Sequence, residues 1–208
     1  MEEKIVYFEE PGIGNTEVTL NLALERAKDR GIKKVLLAST RGDTARQLAQ
    51  KLAGTGIRMV VVPHQYGFGP AGQRFPKALV DELQGQGHSV YFGTMLFHTD
   101  GFFATNEPRL MANLLRTFCQ GMKVAVEITL MAANGGLVAA GENVVVVTGT
   151  GRGADTAVVA IAATSTNLSD FHVTEIICKP LQTRQGPPPN APAAPGVGGM
   201  GQPAGPRG

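Results

Sequence analysis

The chain has 208 residues, 43% of them hydrophobic and 17% charged, a balance that suits one good-sized globular domain and argues against general disorder. Its net charge of +2 leaves no basic stripe, so nucleic acid is not an expected partner. No stretch reaches the ~18 uninterrupted apolar residues of a membrane span, and the opening "MEEK" lacks the basic start and apolar run of a secretory leader.

In chain order, strands and helices alternate. Ile5 to Phe8 reads as a short strand. "NTEVTLNLALERAKDRG" reads as a helix with Asn15 or Thr16 as N-cap and Gly31 as its stop. Val35 to Ala38 is a buried strand, and Thr44 to Ala53 a helix with Ala45, Leu48, Ala49 and Leu52 on one stripe. "IRMVVVP" is the next strand and "PKALVDELQGQG" the next helix, opened by Pro76. "VYFG" is a further strand, followed by a helix over "NEPRLMANLLRTFCQG". "KVAVEITLMAANGGLV" carries both β-branched and helix-length signals, and its closing Asn-Gly-Gly favours helix. "ENVVVVTG", "TAVVAIAAT" and "VTEIICKPL" are strands. Alternation with near-continuous apolar strands predicts a three-layer α/β/α sandwich with a mostly parallel sheet, the last strands adding an antiparallel edge. From Thr183 the text turns to Pro and Gly, so residues 1–182 are expected to form the domain and 183–208 a disordered tail. Cys119 and Cys178 lack metal-ligand spacing and read as buried thiols of a cytoplasmic protein, with no metal site.

Three loops fall where an open α/β sheet binds ligands, beyond the carboxyl ends of its strands. The first is "STRGDT". Ser39, Thr40 and Thr44 bring hydroxyls, Arg41 a cation, and Gly42 a backbone that bares its N–H groups at a helix start, all of which favour a phosphate. A side chain at Gly42 is expected to crowd that anion. Asp43 would compete with it as a cap, or face a sugar hydroxyl instead. The second is "TGTGRG", in which Thr148, Gly149, Gly151, Arg152 and Gly153 follow an apolar strand as a glycine-rich clamp. It lacks the full dinucleotide fingerprint, and a simple hairpin connection is the other reading. The third is "PGIGNT", where Asn15 and Thr16 lead into another helix N-terminus. His64 and the aromatic "HQYGFG" could stack on a planar ring. His98, near Asp100, and Glu127, alone in an apolar helix, are the candidate proton carriers. Loop packing and a carboxylate bonded to a neighbouring N–H are the plainer accounts of these two.

With "GIKKVLLASTRGDTARQLA" and "ENVVVVTGTGRGADTA" both in view, residues 3–182 resemble the pyruvate kinase C-terminal domain, and more closely the stand-alone archaeal and bacterial pyruvate kinase alpha/beta domain proteins. In pyruvate kinase the matching loops hold the phosphates of an allosteric sugar bisphosphate. The resemblance implies that Ser39, Thr40, Gly42, Asp43 and Thr44 take a phosphate, with Gly151, Arg152 and Gly153 close by. Some stand-alone members carry flavin mononucleotide (FMN), which the resemblance extends to this chain as an expectation. Nothing in the 208 residues resembles the catalytic barrel, so pyruvate kinase catalysis is not expected. An enzyme using the flavin or acting on a sugar phosphate, and a regulatory or assembly domain forming a homo-oligomer, are the alternatives.

Overall fold

A computed structural model describes residues 2–70 and 72–182. The sequence expectation for the tail lies outside the described residues. Seven strands form one sheet in the order β1-β7-β6-β5-β2-β3-β4: β1 (Val6–Phe8), β2 (Lys34–Ala38), β3 (Arg58–Val62), β4 (Ser89–Val90), β5 (Asn143–Thr148), β6 (Thr156–Ile161) and β7 (His172–Pro180). Every neighbouring pair is parallel except those of β6, which runs antiparallel to both β5 and β7. The cause is the short link between Thr148 and Thr156, which has no room for the dozen or more residues of a parallel crossover. The antiparallel strand is therefore interior. The sheet edge expected of the last strands is taken by β1, paired in parallel with β7.

Both faces of the central strands are apolar because both are covered. Val35, Leu37, Met59, Val61, Val145 and Val147 pack under α1 (Thr16–Asp29), α2 (Asp43–Leu52) and α3 (Lys77–Gly85) through Leu20, Ala23, Leu48, Leu79 and Leu83. The alternate residues Leu36, Val60, Val62, Val144 and Val146 pack on the opposite face. There a short helix α4 (Asp100–Phe103) and α5 (Glu107–Arg116) precede α6 (Gln120–Asn134), which lays Met122, Ala125, Ile128 and Ala132 on the sheet. The result is the three-layer sandwich, with a mostly parallel sheet.

The predicted helix over 106–121 is in fact two. The chain extends through Cys119, at φ 177° and ψ 167°, and its Sγ accepts from Met122 N to start α6. Two structural needs meet at this break. Helix α6 must approach β5 and β6 closely, and it does so at Gly121, whose carbonyl accepts from Thr148 Oγ1 at 2.8 Å. A Cβ on Gly121 would run into the Thr156 side chain and stand 3.0 Å from Thr148 Oγ1.

The order of the strands creates a crevice. From β2 the chain moves to β3 on one side, while β5 lies on the other side of β2 and hairpins away into β6. Register pairs Leu37 with Val147 and Ala38 with Val62, so the loops after β2, β3 and β5 leave the sheet at one level. Such a divergence point is where open α/β sheets accept ligands.

Adding a methyl group at Gly121 should be costly, because the atoms it meets belong to two buried strands. We expect Gly121→Ala to destabilise the protein by about 1–3 kcal/mol in urea unfolding. A loss under 0.5 kcal/mol would mean that α6 does not need this approach.

Candidate functional site

The link between β5 and β6 is organised by Asp155, which is fully buried. One carboxylate oxygen accepts from the backbone N–H of Thr150 at 3.0 Å and of Gly12 at 2.9 Å. The other accepts from Thr156 Oγ1 at 2.8 Å. A single side chain thus ties the 149–155 loop to the loop that follows β1. Thr16 reinforces the tie, donating to Ile13 O at 2.7 Å and accepting from Ala154 N at 3.0 Å. Gly149 and Gly153 are needed for the tightness of this seam: a Cβ on Gly149 would meet Gly153 O, and one on Gly153 would lie 2.7 Å from Ile13 Cα. Asn15 turns back to Glu10, donating to its carbonyl at 2.7 Å. What remains outward is the tip, Gly151 and Arg152, both exposed.

Across the crevice, the 39–42 turn has the opposite character. Gly42 caps α2 in the left-handed region, at φ 91°, and no side chain caps that helix end. The first bond of α2 runs from Arg46 N to Gly42 O, so the N–H groups of Asp43, Thr44 and Ala45 lack helical partners. Ser39 and Thr44 are only 8% and 6% exposed, and neither hydroxyl bonds to another described residue. Thr40 is half-buried and Arg41 and Asp43 are exposed, again without side-chain partners among the described residues. The expectation that a side chain at Gly42 would crowd an anion needs correcting. Its Cβ direction leads into Leu79 Cδ2 and toward Phe75, the packing of α3, so Gly42 serves the turn from the core side.

A second cluster lies beyond β3 and β4. His64 follows β3, and register places it at the level of Thr40. Its ring meets Phe68 edge-on at 4.6 Å, and Phe68 meets His98 at 5.2 Å. His98 Nε2 lies 3.0 Å from Lys123 Nζ, which donates to Glu127 Oε2 at 2.5 Å. Glu127 Oε1 accepts from the backbone N–H of Phe97 at 2.8 Å, and the Lys123 cation sits 5.5 Å from the Phe97 ring centre. Lys123 and Glu127 are each 2% exposed, whereas His98 is exposed. Burial pushes the Lys123 amine below its ordinary value, against the pull of Glu127. Partial burial, followed by the Lys123 charge, lowers the His98 imidazole; burial, followed by Arg74, lowers His64. Asp100, paired with His98 in the sequence reading, makes no hydrogen bond to it. The buried partner is Lys123.

A family model described as pyruvate kinase, alpha/beta domain matches residues 17–161. The chain belongs to that family. The matched span of this pyruvate kinase alpha/beta domain runs from α1 to β6 and contains the 39–42 turn, the 149–155 loop and the His98–Lys123–Glu127 cluster. The fold brings the sequence-named residues to one edge of the sheet, but not all with free groups. Ser39, Thr40, Asp43, Thr44, Gly151 and Arg152 have groups to offer a ligand. Asn15, Thr16, Thr148, Gly149 and Gly153 are committed to holding the loops in place. Lys123 and Asp155 escaped the sequence reading. Lysine and glutamate four apart inside an otherwise apolar helix was the available signal for the first. For Asp155 it was a lone acid between a glycine loop and an apolar strand.

Asp155→Asn replaces one acceptor oxygen by an NH2 group facing N–H donors. We expect it to cost about 2–4 kcal/mol in chemical denaturation, where a surface-like change under 0.5 kcal/mol would show that the tie is dispensable. A pH effect follows from the imidazoles. His64, His88 and His98 all lie below the ordinary 6.5, burial being the first cause for each. His88 also accepts from Met59 N at 3.2 Å, which needs a neutral ring nitrogen. Below pH 6.5 the unfolded chain binds more protons than the folded one, so this stability is complete above that value. Thermal midpoints should be flat from about pH 7 to 8 and fall as pH drops through the lowered values, less steeply in His88→Gln.

Proposed function

We propose that this chain binds a phosphorylated small molecule, FMN being the specific candidate, in the crevice between the ends of β2 and β5. The observation that carries the reading is the 39–44 turn. Ser39 and Thr44 are each more than nine-tenths buried as residues. Their hydroxyls nevertheless bond no described residue and stay reachable from outside, beside an uncapped helix N-terminus at the divergence point of the sheet. Hydroxyl donors reachable from outside and backbone donors gathered at a helix N-terminus together favour an anion. Thr40 and the backbone N–H groups of α2 complete the cradle, and Arg41 and Arg152 bring positive charge from the two sides. His64 and the aromatic loop around Phe68 would flank the remainder of the ligand. The buried, free Cys119 and Cys178 support a cytoplasmic location. A second reading, an enzyme acting on a sugar phosphate or using the bound flavin, is favoured by one observation: the buried lysine and glutamate that hold His98.

Titration calorimetry with FMN and riboflavin tests the phosphate site. Wild type should prefer FMN by more than about tenfold, since the phosphate is the group the turn would hold. Ser39→Ala and Thr44→Val should each weaken FMN by ~0.5–1.5 kcal/mol and leave riboflavin unaffected. Equal affinity of wild type for the two flavins would reject the reading.

A further inference from the structure

We propose that His98, Lys123 and Glu127 form a proton-donating site, in which the buried lysine–glutamate pair holds His98 with its proton on Nδ1, facing a carbonyl or enolate oxygen of the phosphorylated ligand. The ligand contact rests on the phosphate-site reading; the state of His98 does not. An ammonium has donors and no acceptor, so with Lys123 Nζ at 3.0 Å the Nε2 atom of His98 must be the unprotonated nitrogen. Glu127 keeps that ammonium charged and aimed: one oxygen takes a Lys123 proton, and the other is fixed by Phe97 N–H. Lys123 and Glu127 are buried to 2% exposure, yet the imidazole they orient is exposed. A pair of charges sequestered in the α6 core, ending on one exposed imidazole, is costly as a stabilising device and well suited to setting a tautomer.

The groups facing His98 are few. Lys123 and Glu127 come from α6, Arg116 from α5, Asp100 from α4, and His64 stands across the Phe68 ring. Partial burial and the Lys123 charge together keep the ring neutral at neutral pH, against the opposing pull of Glu127 and Asp100. When charge develops on the ligand oxygen, the Nδ1–H bond breaks as the O–H bond forms. A Lys123 proton moves to Nε2, and the neutral amine stays hydrogen-bonded to Glu127. A proton from water then enters at Nδ1, Nε2 returns its own to Lys123, and the starting state is restored. Burial eases the middle step by pushing Lys123 below its ordinary value. Lys123 and Glu127 are positioning residues in this scheme, and only His98 touches the ligand.

Two measurements on the full chain decide the matter. Long-range 1H–15N NMR, with His98 assigned through His98→Gln, should show Nδ1 protonated and Nε2 bare at pH 7, titrating below 6.5. The double variant Lys123→Met with Glu127→Leu leaves no orphaned charge. In it the ring should revert to the ordinary Nε2–H form and titrate nearer 6.5. A protonated Nε2 or an imidazolium at pH 7 in wild type overturns the proposal. Calorimetry then uses FMN, which carries ring carbonyls, and glycerol 3-phosphate, which carries only the phosphate end. His98→Gln should weaken FMN about fivefold, and glycerol 3-phosphate less than twofold. Unchanged FMN affinity with glycerol 3-phosphate still bound overturns the contact and leaves the phosphate reading standing. If neither probe binds wild type, the phosphate reading falls and the ligand contact with it.

Discussion

The buried carboxylate of Asp155 holds together the loops at the carboxyl ends of the strands. A charge with no access to water is tolerated only where hydrogen bonds replace its hydration, and here three donors converge on it from two loops and a strand. Those donors fix the geometry of everything beside them. With Gly12 and Thr150 drawn to one oxygen, the loop after β1 and the loop after β5 become one rigid wall, which Thr16 and the bare backbone of Gly149 and Gly153 allow to close tightly. The wall presents Gly151 and Arg152 at its tip. Opposite it, the 39–44 turn keeps its donors unspent. One side of the crevice is thus saturated with internal hydrogen bonds and the other keeps its donors free, and that contrast between neighbouring loops of similar composition is what the proposed ligand site rests on.

The layers and strand directions were legible because each is written in a local pattern. "VLLA", "MVVV" and "VVVV" are apolar at every position, which only a sheet covered on both faces requires, and the helices between them carry one-sided stripes. The break at Cys119 was not legible, because it answers to a contact made with β5 and β6 in three dimensions. The place of β1 beside β7 escaped for the same reason. At the site, the residue types were readable and their allegiance was not. Threonine and glycine look alike whether they face a ligand or brace a loop, and Thr16 and Thr148 brace while Thr44 and Ser39 stay unpaired. Lys123 was hidden by the same logic, since a lysine on a helix is normally taken for its solvated face.

The two parts of the edge deal with charge differently. Around α2 the positive character is spread over backbone dipoles and two exposed arginines, a field suited to an anion arriving from water. Around α6 a full positive and a full negative charge are shut inside the protein, cancelling at a distance and acting only on what touches them. A surface arrangement would be screened by salt, and the buried pair much less so. The aromatic rings of Phe68 and Phe97 separate these regimes, lining the space between the imidazoles and excluding water from the lysine.

The pairing of β1 with β7 bears on how the chain comes to be folded. Among the described residues Val6–Phe8 pairs with Cys178–Pro180 alone, and Glu3 completes an ion-pair network through Arg26 to Glu175. β1 therefore cannot dock until β7, far along the described chain, is in place, a contact of long sequence separation. Until then the strand that carries Gly12 toward Asp155 is unanchored, so the wall beside the crevice closes only when the first and last strands of the sheet meet.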